Sequence, residues 1–135
     1  MVENKSKHRI EVFYKEEDPR GYAVAEKFKK IGFNVNKVQL TDNYLINIDF
    51  TPEEIQEAGA LLIQPVTQSF TVDSPYIPEF EFDYCIEVGF LPGVTDNVAH
   101  TVRESLEDKF KRIFDKEKSV FYTISYFFAG IANYD

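Results

Sequence analysis

The sequence predicts an α+β fold in which one strand–turn–helix unit occurs twice. Residues 84–90 form a short apolar run with the β-branched content of a buried strand, and a polar turn and a helical pattern follow it. The same order occurs near the start of the chain, where Ile10-Glu-Val12 matches Ile86-Glu-Val88 at a shift of 76 positions (86 minus 10). A duplication is the most economical explanation of these observations.

The first copy begins with a strand predicted at residues 8–14. Asp18 can cap the helix that follows, and Pro19 suits its first position, where a backbone N–H has no partner within the helix. We expect this helix to end at about Ile31, because Gly32 tolerates the left-handed conformation that is common just after a helix.

A long β stretch is predicted next, over residues 34–49. Thr41-Asp-Asn43 interrupts it and indicates a bend or bulge. One side of its second part is apolar and comprises Tyr44, Ile46, Ile48 and Phe50. Thr51 with Glu54 three residues later predicts a capped helix, and a strand at residues 66–72 would complete a β-α-β-α-β order.

The second copy is predicted to contain a buried strand at residues 84–90, in which Cys85 is an inert buried thiol. Asp96 can cap a helix that reaches about Phe114. The apolar face of that helix carries Val98, Val102, Leu106, Phe110 and Ile113. The last strand, residues 119–128, is aromatic on both sides and therefore requires cover on both sides.

A helix and a strand equivalent to residues 52–72 do not follow this last strand. From the repeat we expect a trimmed piece, a fragment of a longer polypeptide, or a fold that a partner completes. Because an uncovered aromatic face would be an association surface, self-association is a further expectation.

The composition is that of a soluble domain with enough apolar residues for a core. Its 135 residues suit one domain, and 44% of them are hydrophobic. A net charge of −8 argues against nucleic-acid binding, which depends on Lys and Arg at the phosphates. No apolar run approaches the ~18 residues of a membrane span, and the N-terminus lacks the apolar segment of a signal peptide. With a single cysteine, these features predict a cytoplasmic protein, disordered at residues 1–7.

No residue pattern in the sequence indicates catalysis or a metal site. The chain has no Gly-rich nucleotide-binding loop, no HExxH and no nucleophile elbow. His8 and His100 are its only histidines, and no Cys/His cluster has the spacing of metal ligands. We therefore predict no catalytic residue and no metal ligand.

Several segments nevertheless resemble one family in their order and spacing. In the first half these segments are Asp18-Pro-Arg-Gly21, Gly32-Phe-Asn-Val35, Tyr44-Leu-Ile-Asn-Ile48 and Leu61-Leu-Ile-Gln-Pro-Val66. In the second half the segments are Ile86-Glu-Val-Gly-Phe90 and Pro92-Gly-Val-Thr-Asp-Asn97. Together they resemble the PurS family and the PurS-like N-terminal domain of phosphoribosylformylglycinamidine (FGAM) synthase, an ATP- and glutamine-dependent enzyme of purine biosynthesis. Gln64 departs from the Asn usual in this family, and the second half lacks its final helix.

The resemblance implies an α+β fold of two tandem ferredoxin-like (PurS-like) halves, with antiparallel sheets and helices on one face. The first half would span residues 8–73 and a connector residues 74–82. A truncated second half, residues 83–135, would lack its last helix. Such a chain is equivalent to a PurS dimer fused into one polypeptide.

The resemblance also implies a module without an active site or cofactor of its own. In the family, ATP, Mg²⁺ and formylglycinamide ribonucleotide belong to the synthetase domains, and the PurS-like part bridges these to the glutaminase and supports ammonia transfer. The expected partners are therefore the synthetase and glutaminase parts. Two loops would contact them, through Asp18, Arg20, Gly21, Pro92, Gly93, Val94, Thr95, Asp96 and Asn97. Candidate interface residues on the strands are Tyr44, Phe121, Tyr122, Tyr126 and Phe127.

Two other classes of protein fit part of the same pattern. An ACT-like regulatory domain also repeats ferredoxin-like halves and binds amino acids at interfaces, and Asp18-Pro-Arg-Gly21 would suit it. A small enzyme of the acylphosphatase type would need an Arg in an anion-binding loop, and only Arg20 lies in a strand–helix turn. The long strand and the Gln64-Pro-Val66 ending favour the PurS-like interpretation.

Overall fold

Five antiparallel strands in one sheet and three helices are formed by the residues that the computed structural model describes, 7–90 and 95–130. In chain order the elements are β1 (His8–Tyr14), α1 (Pro19–Lys30), β2 (Lys37–Ile46), α2 (Pro52–Leu62), β3 (Gln68–Val72), β4 (Tyr84–Gly89), α3 (Asn97–Phe110) and β5 (Val120–Ala129). The strand order across the sheet is β3-β1-β2-β5-β4. The predicted α+β class is confirmed, and so is the β-α-β-α-β order of the first five elements.

Strands β2 and β5 form the centre of the sheet, and their pairing fixes which side chains share a face. They pair in continuous register over all 10 residues of β2. Because directly paired residues point to the same side, Ile10 of β1 shares a side with Tyr44 and Tyr122. We call this side the helix face and the opposite side the open face.

All three helices pack on the helix face, in two apolar clusters. Helices α2 and α3 cover the larger cluster, whose most buried members include Ile10, Val12, Ile46, Ile55 and Leu106. Helix α1 covers the smaller cluster, which consists of Ala25, Val35, Val38, Leu40 and Phe128. Each large aliphatic side chain buried in this way contributes roughly 1.5–3 kcal/mol, so the clusters hold the helices to the sheet. In the described part of the chain, no helix is long and apolar enough to cross a membrane.

Each helix begins at the capping residue that the sequence predicts. Asp18 and Asp96 accept hydrogen bonds from backbone N–H groups in the first turns of α1 and α3, both at 2.9 Å. Thr51 and Glu54 form a reciprocal capping box at the start of α2. These side chains satisfy N–H groups that have no partner within the helix, which explains where the three helices start.

Glycines fix the position and the end of α1. A Cβ at Gly21 would lie 2.0 Å from the carbonyl oxygen of Val38, so α1 approaches β2 more closely than any larger residue allows. Gly32 has a φ of +94°, the left-handed conformation that the sequence predicts after this helix. Gly21 therefore serves packing, whereas Gly32 serves backbone conformation.

Strand β2 continues through residues 41–43 without a bulge, so the predicted interruption of the strand is wrong. Its register with β1 and with β5 is continuous across these three residues. Asn43 donates hydrogen bonds to Ser125 at 2.8 Å and to Thr123 at 3.1 Å, both on the neighbouring strand. Because the polar side chains find partners within the sheet, the strand needs no interruption.

Strand β4 is exposed along its whole length, which contradicts both the predicted buried strand and the predicted buried thiol of Cys85. Among the described strands it pairs only with β5, so it lies at the edge of the sheet. Its side chains on the helix face, Tyr84, Ile86 and Val88, are between 51% and 61% exposed. An apolar run predicts a strand, but it does not reveal which strand lies at the edge.

Helix α3 is shorter than predicted and buries less of its apolar face. It ends at Phe110 instead of about Phe114, because Lys111 takes the left-handed conformation with a φ of +55°. Val98 and Ile113, the two ends of the predicted apolar face, are exposed. Only the middle of the predicted face therefore packs against the sheet.

The connector at residues 74–82 packs on the open face. Tyr76 stacks on Phe13 with ring centroids 4.2 Å apart. Tyr76 and Phe82 also contact Phe127 of β5 edge-on, with centroid distances of 5.9 and 5.0 Å. This cover explains why Phe127 is only 6% exposed, although it lies on the face without helices.

Candidate functional site

Arg20, in the first turn of α1, is the centre of a polar cluster beside β2. Its guanidinium donates to Asp18 at 2.8 and 3.1 Å and to both carboxylate oxygens of Asp42 at 2.9 Å. Tyr122 of β5 donates its hydroxyl proton to Asp42. We call Asp18, Arg20, Asp42 and Tyr122 the Arg20 cluster.

The local fold explains why these side chains meet. Asp18 is held in place because it caps α1, and Gly21 lets that helix lie against β2. Tyr122 pairs with Tyr44, and Asp42 lies two residues from Tyr44 on the same face of the sheet. A helix cap and a strand register thus bring together residues from three elements.

Two carboxylates share one guanidinium, so Asp18, Arg20 and Asp42 together carry a formal charge of −1. The side chain of Asp18 is 0% exposed and that of Asp42 is 12% exposed, whereas that of Arg20 is 36% exposed. Burial alone would lower the pKa of Arg20, but the hydrogen bonds and charges of the two carboxylates raise it above its ordinary value. Arg20 is therefore always protonated and is held in one orientation.

Two tyrosines beside Asp42 are also held in their protonated form. Burial and the negative charge of Asp42 raise the pKa of Tyr44 to about 12. Burial, the hydrogen bond to Asp42 and the charge of Asp42 raise the pKa of Tyr122 still further above its ordinary value. At neutral pH Tyr122 is therefore a hydrogen-bond donor and cannot act as a general base.

The Arg20 cluster is suited to joining elements rather than to binding an anion. An Arg side chain has five N–H donors, and four hydrogen bonds already link Arg20 to Asp18 and Asp42. The remaining negative charge would repel a phosphate or carboxylate ligand. This geometry argues against an acylphosphatase-type enzyme, whose anion-binding Arg must be free.

Two of the three predicted contact residues at the start of α1 are enclosed by the fold. Asp18 and Gly21 are buried, and each already has a role within the fold as a cap and as a close-packing residue. Arg20 is only partly exposed. Contact of these residues with a partner stays a prediction. Of the three, Arg20 is the one whose side chain is accessible to solvent.

The structure describes part of the predicted partner-contact loop after β4. The described residues of that loop are Thr95, Asp96 and Asn97. Three predicted residues lie outside the described part of the chain, namely Pro92, Gly93 and Val94. Thr95 and Asn97 are exposed, whereas Asp96 caps α3 and also accepts a hydrogen bond from the backbone N–H of Tyr122 at 3.2 Å. Asp96 thus joins α3 to β5, and the contact with a partner stays a prediction.

A cleft of about 640 Å³ lies between the first turn of α3 and β5, and Thr95, His100 and Phe121 are among its lining residues. The first N–H groups of a helix can bind an anion at such a place. Here the carboxylate of Asp96 already accepts a hydrogen bond from the N–H of Ala99, and its negative charge opposes an anionic ligand. The cleft therefore favours a neutral or cationic group over a phosphate.

The predicted interface residues on the strands differ widely in exposure. Tyr44 and Tyr122 pack against each other on the helix face, with ring centroids 5.4 Å apart. Tyr126 is partly buried, and the connector covers Phe127. Of these five residues only Phe121, at 45%, has an exposed side chain. Their exposure does not show whether they contact a partner, so this contact stays a prediction.

A second charged group lies on the open face. Arg9 of β1 donates to Glu11 at 2.7 Å and to Glu87 of β4 at 3.0 and 3.1 Å. Two strands separate β1 from β4, so this contact requires a strongly curled sheet. Burial alone would raise the pKa of Glu87, but hydrogen bonds from Arg9 and Thr123 and the charge of Arg9 lower it below its ordinary value.

Strand β4 presents an apolar stripe on the helix face. It consists of Tyr84, Ile86 and Val88, which are 61%, 51% and 52% exposed. We call these three residues the β4 stripe. They lie beside the partly buried side chains of Ile124 and Tyr126, so the stripe continues the apolar surface of β5 to the edge of the sheet.

Sequence reasoning missed Asp42, Arg9 and Glu87 as members of charged groups. Asp42 interrupts an apolar alternation. Such an interruption predicts a bend, and the sequence does not show that Arg20 and Tyr122 pair with this carboxylate inside the sheet. Glu87 could have been found from the repeat, because it occupies the place of Glu11 in the matching Ile-Glu-Val segments. No comparable sequence signal links Arg9 to Glu87, because strand order brings them together.

Within residues 7–90 and 95–130, no three His, Cys, Asp or Glu side chains are grouped so that they could hold a metal ion. No family model matches the sequence, and no curated protein or solved structure is significantly similar to it. A function for this chain is therefore inferred from its own residues and their geometry.

Proposed function

We propose that this chain is a non-catalytic, PurS-like module of FGAM synthase that bridges the synthetase and glutaminase parts and supports ammonia transfer. The observation that carries the proposal is a local twofold relation between the strand pair β1–β2 and the strand pair β4–β5. This relation supports two equivalent, PurS-like halves, as expected of a dimer joined into one chain.

The two strand pairs have matching registers. Ile10 lies opposite Tyr44, and its counterpart Ile86 lies opposite Tyr126. The pairing therefore makes Tyr126 the counterpart of Tyr44, an offset of 82 positions (126 minus 44) between β2 and β5. The offset is 76 positions between β1 and β4, so the second copy is six residues longer between its two strands (82 minus 76).

The two pairs meet in the middle of the sheet in a symmetric way. Leu40 lies opposite Tyr126, and Tyr122, the counterpart of Leu40, lies opposite Tyr44. Antiparallel pairing in continuous register always has such a local twofold axis; what distinguishes this sheet is that the exchange also swaps β1 with β4, whose Ile-Glu-Val segments match. The axis passes beside Asp42, so the Arg20 cluster lies close to it.

A second contact joins the copies on the open face. Glu11 and Glu87 are counterparts, and the single guanidinium of Arg9 binds both of them. One side chain thus contacts the same residue in both copies. This contact supports two halves that form one rigid unit rather than two independent domains.

Exposed apolar residues support a role in protein–protein contact. The β4 stripe, Phe90 and Phe121 are all exposed by 45% or more on or next to the last two strands. Exposed apolar surface of this kind marks contacts with other proteins. A bridging module needs such a surface.

The proposal is tested by reconstitution with the synthetase and glutaminase subunits of FGAM synthase from the same organism. We expect the chain to restore glutamine-dependent formation of FGAM and to co-elute with both subunits in gel filtration. Ammonia-dependent formation of FGAM is the matched control, because it bypasses transfer between the two active sites.

The outcome separates the proposed function from its alternative. A Thr95→Ala/Asn97→Ala double variant is expected to weaken the complex if the loop before α3 contacts the synthetase. If the unchanged chain neither joins the complex nor raises glutamine-dependent activity, the proposed function is wrong. Saturable thermal stabilisation by a free amino acid would instead support the ACT-like alternative.

A further inference from the structure

Strand β4 repeats the residues of β1 that the first helix–strand segment covers. Ile86 and Val88 are the counterparts of Ile10 and Val12 and have the same residue types. The neighbouring strand repeats as well, because a tyrosine lies opposite each isoleucine. At these two positions the helix face of β4 therefore repeats the helix face of β1.

The two copies differ in what covers them. Ile10 and Val12 are 0% and 2% exposed, because they pack in one core with Ile55 of α2 and with β3. Ile86 and Val88 are 51% and 52% exposed. The same two side chains are thus buried in one copy and half exposed in the other.

The two strands also differ in how many neighbouring strands they pair with. β1 is hydrogen-bonded on both sides, by β2 and β3, whereas β4 has β5 alone as its neighbour among the described strands. A free strand edge offers N–H and C=O groups to an incoming strand, and extended peptides bind in this way. β4 therefore has both an uncovered apolar side and an open edge.

We propose that β4 binds a helix–strand segment of a partner protein, arranged on β4 as α2 and β3 are arranged on β1. The partner strand would pair antiparallel with the free edge of β4, and the partner helix would cover the β4 stripe. This inference deepens the proposed function and rests on its two equivalent copies, since it names the surface and the kind of partner.

The chain's own α2 and β3 indicate the chemistry of the partner segment. The inner face of α2 carries apolar residues at i, i+3 and i+7, namely Ile55, Ala58 and Leu62. β3 adds Phe70 and Val72 to the same core. Since this chain carries a net charge of −8, a partner segment with a basic outer face would associate fastest.

The probe for this surface is a synthetic peptide of residues 51–73, which contains α2 and β3 and is added to the full chain. In the folded chain the site on β1 is already occupied, so we expect the free peptide to bind the copy of that site on β4. We expect saturable binding by fluorescence anisotropy and slower hydrogen exchange of the amides at residues 84–89.

Two double variants distinguish the β4 stripe from general apolar surface. Ile86→Glu/Val88→Glu should weaken peptide binding by about tenfold or more, since both side chains would face the bound helix. The matched control Val66→Glu/Ile113→Glu changes two apolar residues that are 81% and 87% exposed elsewhere, and it should bind as the unchanged chain does. If the glutamates unfold the chain, Ile86→Ser/Val88→Ser replaces them.

Several results would overturn the proposal. These are the absence of saturable binding, exchange protection outside β4, or equal loss of affinity in both double variants. A doubled mass of the chain alone, with β4 protected, would show that a second copy covers the stripe instead. This test uses neither the synthetase nor the glutaminase subunit. Its result therefore does not depend on whether reconstitution of FGAM synthase succeeds.

Discussion

Asp42 joins parts of the chain that lie far apart in the sequence. From β2 it binds Arg20 at the start of α1 and accepts a hydrogen bond from Tyr122 of β5. A buried carboxylate is costly unless its oxygens are paired, and here both are paired. One side chain thereby fixes a helix and two strands relative to one another.

We expect Asp42→Asn to lower the free energy of unfolding by ~2 kcal/mol, because charge-assisted hydrogen bonds with Arg20 are lost. Tyr122→Phe removes a single hydrogen bond to the same carboxylate and should cost ~1 kcal/mol. Urea unfolding at pH 7 measures both values. Equal losses in the two variants would show that the ion pair adds nothing to the tyrosine's hydrogen bond.

The tyrosines beside Asp42 predict a loss of stability at high pH. The pKa of Tyr44 is raised to about 12 in the folded chain, whereas in an unfolded chain a tyrosine has a pKa of about 10. Between these values the folded state holds a proton that the unfolded state has released, so stability falls as pH rises through this window. Burial and Asp42 raise the pKa of Tyr122 as well, which extends the effect to higher pH.

Urea unfolding between pH 8 and pH 11.5 tests this dependence. The unchanged chain should lose stability steeply above about pH 10, and a Tyr44→Phe/Tyr122→Phe double variant should lose less over the same interval. The double variant is less stable at pH 8, so slopes and not absolute values are compared. Parallel slopes would mean that other groups cause the alkaline loss.

At the scale of elements, α1 illustrates how closely a helix can be set against a strand. Gly21→Ala would place a Cβ 2.0 Å from a backbone oxygen of Val38, which cannot move without shifting β2. We expect a loss of about 3 kcal/mol or more in the free energy of unfolding. Chemical denaturation followed by circular dichroism measures it.

Gly32→Ala is the matched control for this prediction. A Cβ there meets no atom within 4 Å, so only the φ of +94° is unfavourable and the expected loss is about 1 kcal/mol. If Gly21→Ala cost no more than Gly32→Ala, the close approach of α1 to β2 would not be required for stability.

Elements whose signals lie within a few residues of one another were predictable from the sequence. Which elements pack against one another was not. Asp18, Thr51 and Asp96 cap helices through hydrogen bonds within a few residues, so their signal is short-range. β4 carries a strong apolar pattern yet is exposed, because its burial depends on strand order in the sheet. The Arg20 cluster is intermediate: Asp18 and Arg20 are adjacent in the chain, but Asp42 lies 22 residues away.

At the scale of the whole molecule, the sheet is closed at its centre and open at one end. β2 and β5 pair along their full length, and Arg9 joins the inner strand β1 to the edge strand β4 on the open face. The edge at β3 packs beside α2, whereas the edge at β4 has an uncovered apolar stripe. The two ends of the sheet therefore differ in how far their apolar side chains are covered.

This arrangement predicts that the chain alone is a monomer in solution, in place of the self-association expected from the sequence, because Phe127 and Phe128 of the aromatic strand are covered within the chain. The central contact, which separate halves would have to form by dimerisation, is already made within the chain by β2 and β5. The free edge of β4 is only 6 residues long, and a net charge of −8 opposes close approach of a second copy. Light scattering from micromolar to hundreds of micromolar should give a constant mass near 15.7 kDa.

The Ile86→Glu/Val88→Glu variant should give the same mass, because the β4 stripe is proposed to bind a different protein. A dimer that this variant dissociates would mean that two copies cover each other's stripe, and the monomeric state predicted here would be wrong.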